Sequence, residues 1–286
     1  MTSTTTAPLT REWRPSWPCP VSTILSIHRR GPRDPTYRRD ADGSIWRGIR
    51  TPEGTATLRL STRPADGAVD AVAWGPGAAW ALDSVPRMLG ADDDPTGFVP
   101  PAPLEDAWRR HRHWRVGATD LVMESLVPGI IEQKVTGQEA FSGFRQLVHR
   151  FGERAPGPPS DPDPPVSLWV QPTATQLRMV PSWEWLRVHI DIGRSRPLVG
   201  AARVADALER AGRLGPEVFD RRVRTLPGIG VWTSAEVRFR ALGDADAVSF
   251  GDYHVAANVG WALTGEPVDD EGLVVLLEPY AGHRHR

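Results

Sequence analysis

The sequence predicts an α+β protein: a small N-terminal antiparallel sheet with helices, followed by an all-α region. Three observations lead there. Short alternating runs separated by turn residues fill the first hundred positions. From about Leu104 onward, apolar residues recur at helical spacing. Between the two, Gly90-Ala91-Asp92-Asp93-Asp94-Pro95 reads as a linker. The organisation expected is a flexible tail over 1–20, an N-terminal α+β domain over 21–100 and a helical domain over 101–286.

Taken in order, the tail is polar and carries Pro15, Pro18 and Pro20, which oppose regular structure. Val21 to Ile27 is β-rich and reads as a strand. Asp42-Gly43 marks a hairpin turn before Ser44 to Ile49. Gly54 breaks the next pair, Thr55 to Leu60 alternates, and Ala71 to Trp74 adds a strand. Gly77 to Leu89 looks helical. In the second half, helices are expected over Leu104–Arg115, over Asp120–Ala140 with an interruption at Pro128-Gly129, and over Phe141–Phe151. Ala155 to Pro165 is dense in proline and reads as a loop. Further helices are expected over Thr173–Val180, Trp183–Ile190, Pro197–Arg213, Glu217–Arg224 and Trp232–Leu242. The last opens at Asp252 or Tyr253 and runs to Thr264.

Composition narrows the function. The chain has 286 residues and a formal net charge of −1, so no global basic field announces a nucleic-acid partner. Such binding would need a local patch. Cys19 is the only cysteine, which excludes a disulfide framework, a Cys-based zinc site and a four-Cys iron–sulfur cluster within one chain. No apolar run approaches the ~18 residues that span a bilayer. Met1 to Leu9 lacks the apolar core of a signal peptide. The expectation is a cytoplasmic monomer with no membrane partner.

The most informative segment is Thr225-Leu226-Pro227-Gly228-Ile229-Gly230-Val231-Trp232-Thr233, between two short helices. Pro227 and the glycines allow a tight turn, with Ile229 able to anchor it in the core. Amides at the start of the following helix would form an anion site. Between Ala201 and Arg240 there are eight Arg against five Asp and Glu, a local excess of +3. On its own the segment also reads as an ordinary glycine-terminated helix connection.

With two further segments, the hairpin resembles the helix-hairpin-helix DNA glycosylases, and bacterial 3-methyladenine DNA glycosylase II in particular. One is Gly243 to His254, similar to the family's loop ending in an essential Asp. The other is Ile130-Ile131-Glu132-Gln133-Lys134-Val135, similar to an Ile-rich helix ending near a wedge element. The resemblance covers about Leu104 to Arg286, and more loosely the N-terminal sheet.

It implies a base-excision repair enzyme that flips a damaged base out of double-stranded DNA and hydrolyses its bond to deoxyribose. Asp252 would be catalytic, stabilising the oxocarbenium-like sugar and orienting water; it also reads as a plain helix N-cap. DNA contacts would come from Gly228, Gly230, Thr233, His254, Gln133 and Lys134. Trp232, Tyr253 and Trp261 would line the base pocket, where an indole can stack on a cationic alkylated purine. The other tryptophans, among them Trp108, Trp114, Trp169, Trp183 and Trp185, read as packing. Trp232 stands where strand-cleaving relatives carry Lys, which implies a monofunctional enzyme leaving an abasic site. Glu236 departs from the aromatic some relatives have there. No organic cofactor is implied; main-chain oxygens of Arg224, Leu226 and Ile229 would hold Na⁺ or K⁺. Alkylated, or deaminated, purines are the expected substrates. The alternatives are a non-catalytic DNA-damage-binding protein and an oxidised-purine glycosylase. The ending His283-Arg284-His285-Arg286 reads as a solvated tail.

Overall fold

The computed structural model describes residues 7–63, 65–158 and 167–286. Its N-terminal part is a five-stranded antiparallel sheet in the order β1-β5-β4-β3-β2. The strands are β1 (Leu9–Trp13), β2 (Tyr37–Arg39), β3 (Ile45–Thr51), β4 (Gly54–Thr62) and β5 (Val69–Trp74). The Asp42-Gly43 turn joins β2 to β3 as expected, with Gly43 at a φ of 85° and the Ser44 amide donating to Asp42 Oδ1 at 2.8 Å. Helices α1 (Val21–Leu25), α2 (Ala78–Asp83) and α3 (Val85–Met88) cover the sheet. Ile24, Leu25, Leu58, Leu60, Val85 and Met88 fill the core between them.

Two expectations fail here. Leu9–Trp13, assigned to the tail, is the edge strand β1, in register with β5 from Leu9↔Ala73 to Trp13↔Val69. Val21–Ile27 is helical rather than extended. The Pro20 carbonyl accepts from the Thr23 and Ile24 amides, and Val21, Ile24 and Leu25 share one buried face. That is helical spacing inside a β-branched composition.

The helical part comprises α4 (Glu105–His111), α5 (Val122–Ile131), α6 (Gly137–Phe151), a two-residue pair of strands β6 (Glu153–Arg154) and β7 (Trp169–Val170), and α7 (Ala174–Met179) to α14 (Asp270–Leu277). Between these last two run α8 (Ser182–Arg187), α9 (Ile192–Arg203), α10 (Ala205–Gly212), α11 (Pro216–Val223), α12 (Val231–Ala241) and α13 (Val255–Thr264). The centre is α5, whose Leu126, Ile130 and Ile131 are wholly buried. It runs through Pro128-Gly129 without a break. Its later turns are held in the core, and the Glu132 amide still donates to the Pro128 carbonyl at 2.9 Å. Gly129 lets α5 approach α12, where a Cβ would lie within 4 Å of Thr233 and Glu236. The chain breaks instead at Lys134. The long helix expected over Pro197–Arg213 starts earlier, at Asp191, whose carboxylate caps the Arg194 amide, and splits at Val204. Most of the proline-rich loop expected over Ala155–Pro165 lies outside the described residues. Among the described residues, no helix is long and apolar enough to cross a membrane.

A layer of charged side chains joins the sheet to the helices. Arg47 pairs with Glu124 at 2.8 Å, Arg30 pairs with Glu132 at 2.9 Å, and Arg240 donates to the Ile27 carbonyl at 3.0 Å. The expected solvated ending is packed instead. The Arg286 guanidinium is buried against Asp93, and the His285 amide donates to Ala245. The His285 ring stacks on Phe239 at 4.0 Å, and burial pushes its imidazole down to about 4.

Candidate active site

The turn between α11 and α12 is a tight hairpin. The Ile229 amide donates to Leu226 O at 3.1 Å, and Ile229 is buried in the helical core. Gly228 has a φ of 83°, and a Cβ there would come within 2.5 Å of Pro197 Cγ on α9. Only glycine meets both demands. Gly230 is the N-cap of α12 and is exposed, with no side chain capping the helix. The first amides of α12 therefore lack intrahelical acceptors and face a solvent-accessible end. Ser234 Oγ donates to Asp220 Oδ1 at 2.7 Å, tying α12 to α11.

Gln133 reaches this hairpin from the end of α5. Its amide group donates to Gly228 O at 3.0 Å and to Thr233 Oγ1 at 2.7 Å. Thr233 is almost fully buried. Its hydroxyl therefore braces the hairpin from inside, in place of the outward phosphate contact expected of it. Lys134 follows Gln133, exposed and with a φ of 53°.

Asp252 meets α12 from the other side. Its Oδ1 accepts the amides of His254 at 2.8 Å and Val255 at 3.2 Å, at the start of α13. Its Oδ2 accepts the Trp232 indole N–H at 2.9 Å. Every donor is neutral; among the described residues no cation forms an ion pair with this carboxylate. The capping role and the expected site position thus coincide in one side chain. Gly251, with a φ of 82°, turns the chain into it, and the Gly251 amide is held by Asp270 at 2.9 Å. His254 is exposed beside it.

The aromatic pocket is not gathered as expected. Trp232 touches Asp252, but Tyr253 is 91% exposed and Trp261 59% exposed, so neither encloses a cavity with it. Tyr253 instead packs edge-on against His254 at 4.8 Å. Two cavities lie elsewhere: one of about 20 Å³ between sheet and α5, and one of about 390 Å³ near Cys19 and Trp114.

Sequence reasoning missed what lies one turn behind Trp232. Glu236 is buried, accepting from Ser249 Oγ at 2.6 Å and pairing with Arg240. Burial pulls the Arg240 guanidinium below its ordinary range, and the Arg30 charge adds to the effect. The i, i+4 spacing of Glu236 and Arg240 was the available signal; the contacts with Ser249 and Ile27 had none.

No family model matches the sequence, and no curated protein matches it. Solved structures do match in fold. The 3-methyladenine DNA glycosylase of Archaeoglobus fulgidus superposes with a TM-score of 0.74 at 17% identity, over 92% of this chain and 90% of that one. The 8-oxoguanine glycosylase/lyase of Clostridium acetobutylicum, in its apo form, gives 0.69 at 11% identity over 94% and 90%. MBOgg1 in complex with a low-affinity DNA ligand gives 0.72 at 12% identity over 96% and 91%. The chain has the fold of the helix-hairpin-helix DNA glycosylases.

Proposed function

We propose that this protein is a base-excision DNA glycosylase that hydrolyses the bond between a damaged purine and deoxyribose, with alkylated purines as the favoured class. The observation that carries this reading is Asp252: a partly exposed carboxylate held by three neutral donors, beside a hairpin suited to a phosphate. A carboxylate without a counterion keeps its charge for the cationic sugar that develops as the base departs. It can also orient the attacking water.

The helix-start amides near Gly230 would take a phosphate, with His254 and the Gln133–Lys134 loop at the same rim. Position 232 offers no amine, so the nucleophile in excision is water and the product is an abasic site. Trp232 serves in this reading both as a stacking surface and as the donor that fixes Asp252. The main-chain oxygens of Arg224, Leu226 and Ile229 would hold Na⁺ or K⁺. They fit in kind, being carbonyls on one turn, although Leu226 O already accepts from Ile229. The cation would supply positive charge near the bound phosphate.

One observation favours a second substrate class. Glu236 and Ser249 present polar atoms where an all-aromatic pocket would not, which suits an oxidised purine carrying an added N–H. The test is base release from methylated and from 8-oxoguanine duplexes, read by chromatography. Asp252→Asn is expected to slow release by about 10²–10³-fold. Equal release by both forms, or none by either with DNA still bound, would leave only a damage-binding role.

A further inference from the structure

Lys134 is the only lysine in the chain, and besides the α-amino group it is the only primary amine. It sits where the chain leaves α5 and turns toward α6, at a φ of 53°. A non-glycine residue holds this left-handed region only where its surroundings enforce it, and such enforced positions cluster at functional sites. Here the enforcement is visible on both sides. Arg194 donates to Ile131 O at 3.1 Å, and Glu132 is tied to Arg30. Gln133 is fastened to Gly228 and Thr233. Beyond Lys134, a reciprocal capping box between Thr136 and Glu139 locks the start of α6.

Every residue around Lys134 is anchored, yet its own side chain is exposed, and among the described residues nothing pairs with its amine. Two short links connect it to the carboxylate. Gln133 bonds Thr233, and Trp232, next to Thr233, bonds Asp252. The amine therefore projects from the rim of the same site.

We propose that Lys134 cleaves the DNA strand at the abasic site, as a step separate from excision. This inference rests on the glycosylase reading for its substrate. An abasic deoxyribose opens to an aldehyde at C1′. The Lys134 amine attacks that carbon; a C–N bond forms, the aldehyde oxygen leaves as water, and an imine results. The protonated imine acidifies C2′. The C2′ proton passes to water, its electron pair forms the C2′–C3′ double bond, and the C3′–O bond breaks, with the 3′ phosphate leaving with its pair. Hydrolysis of the imine restores the lysine and frees an unsaturated aldehyde end. No oxidant or reductant is needed.

The experiment uses the full-length protein and a duplex with one preformed abasic site, with protein raised to saturation and borohydride added to reduce the imine. The expected result is a covalent adduct that peptide mapping places on Lys134, and a nick on the 3′ side of the site when borohydride is left out. Lys134→Arg keeps the charge but should lower adduct per bound duplex by about tenfold or more. Lys134→Gly, which suits the left-handed backbone, should lose it too. An adduct on the α-amino group, an undiminished yield in either variant, or no adduct at saturation overturns the proposal. Because the abasic site is supplied ready-made, failure of excision leaves this assay intact and shows separately, as absent base release.

Discussion

At the front of the helical half, Asp252 accepts from two backbone amides and an indole and meets no cation. One helical turn behind it, each buried carboxylate has its own arginine: Glu236 with Arg240, Glu132 with Arg30, Glu124 with Arg47. Both regions place carboxylates at helix-packed positions, and the difference is what holds them. Neutral donors orient a carboxylate and leave its charge unspent, ready for a cation that appears only during reaction. An arginine neutralises it and, in a buried setting, makes each partner dependent on the other. The front is built to act and the layer behind it to hold the sheet against the helices.

The strongest way to break this contrast is Arg240→Met. It leaves Glu236 buried without a counterion and removes the bond to Ile27 O. The expected loss is about 3–5 kcal/mol of stability in urea unfolding. Adding Glu236→Gln should recover part of it, since the uncompensated charge is gone. Asp252→Asn is the mirror image: asparagine caps a helix about as well as aspartate, so stability should change by less than about 1 kcal/mol. A large activity loss in Arg240→Met at full stability would instead assign the hidden layer to the site.

Acid tests the same layer more gently. Burial, together with the Arg47, Arg240 and Arg30 charges, holds the His28 imidazole well below its ordinary range. The folded protein therefore keeps His28 neutral while the unfolded chain protonates it below about pH 6.5. The unfolded state binds the extra proton, so this contribution is present above that pH and is lost as pH falls. Relative to His28→Leu, the wild type should lose up to about 1.4 kcal/mol per pH unit between pH 6 and 5. Parallel pH profiles of the two proteins would remove His28 from the account.

Much of this was legible before the fold was known, and for local reasons. Asp42-Gly43 and Gly54 announce their hairpins because the turn geometry itself demands those residues. Gly228, Ile229 and Asp252 are likewise set by turn and cap chemistry within a few positions of one another. What failed depends on distant partners. β1 is a strand only because Val69–Ala73 offers it an edge. Tyr253 and Trp261 are aromatic by sequence and exposed by placement, since residue type does not say which way a helix start faces. The Trp232–Asp252 bond joins positions twenty apart, and Arg240 reaches Ile27 across more than two hundred.

The smallest effect probes the junction of the two regions. The loop carrying Gln133 and Lys134 belongs to the front, yet Glu132 and Arg30 moor it to the layer behind. Its other mooring is the Thr136–Glu139 capping box, which is exposed and carries no buried charge. Thr136→Ala removes the side chain that accepts the Glu139 amide and should cost about 1 kcal/mol. Thr136→Ser should cost a few tenths, about the spread among good caps. If the loop is set mainly from behind, Thr136→Ala should speed hydrogen exchange at Glu139 and leave Gln133 bonded to the hairpin. If the capping box sets it, exchange should rise through the hairpin amides as well, and the left-handed turn at Lys134 would be held from the front.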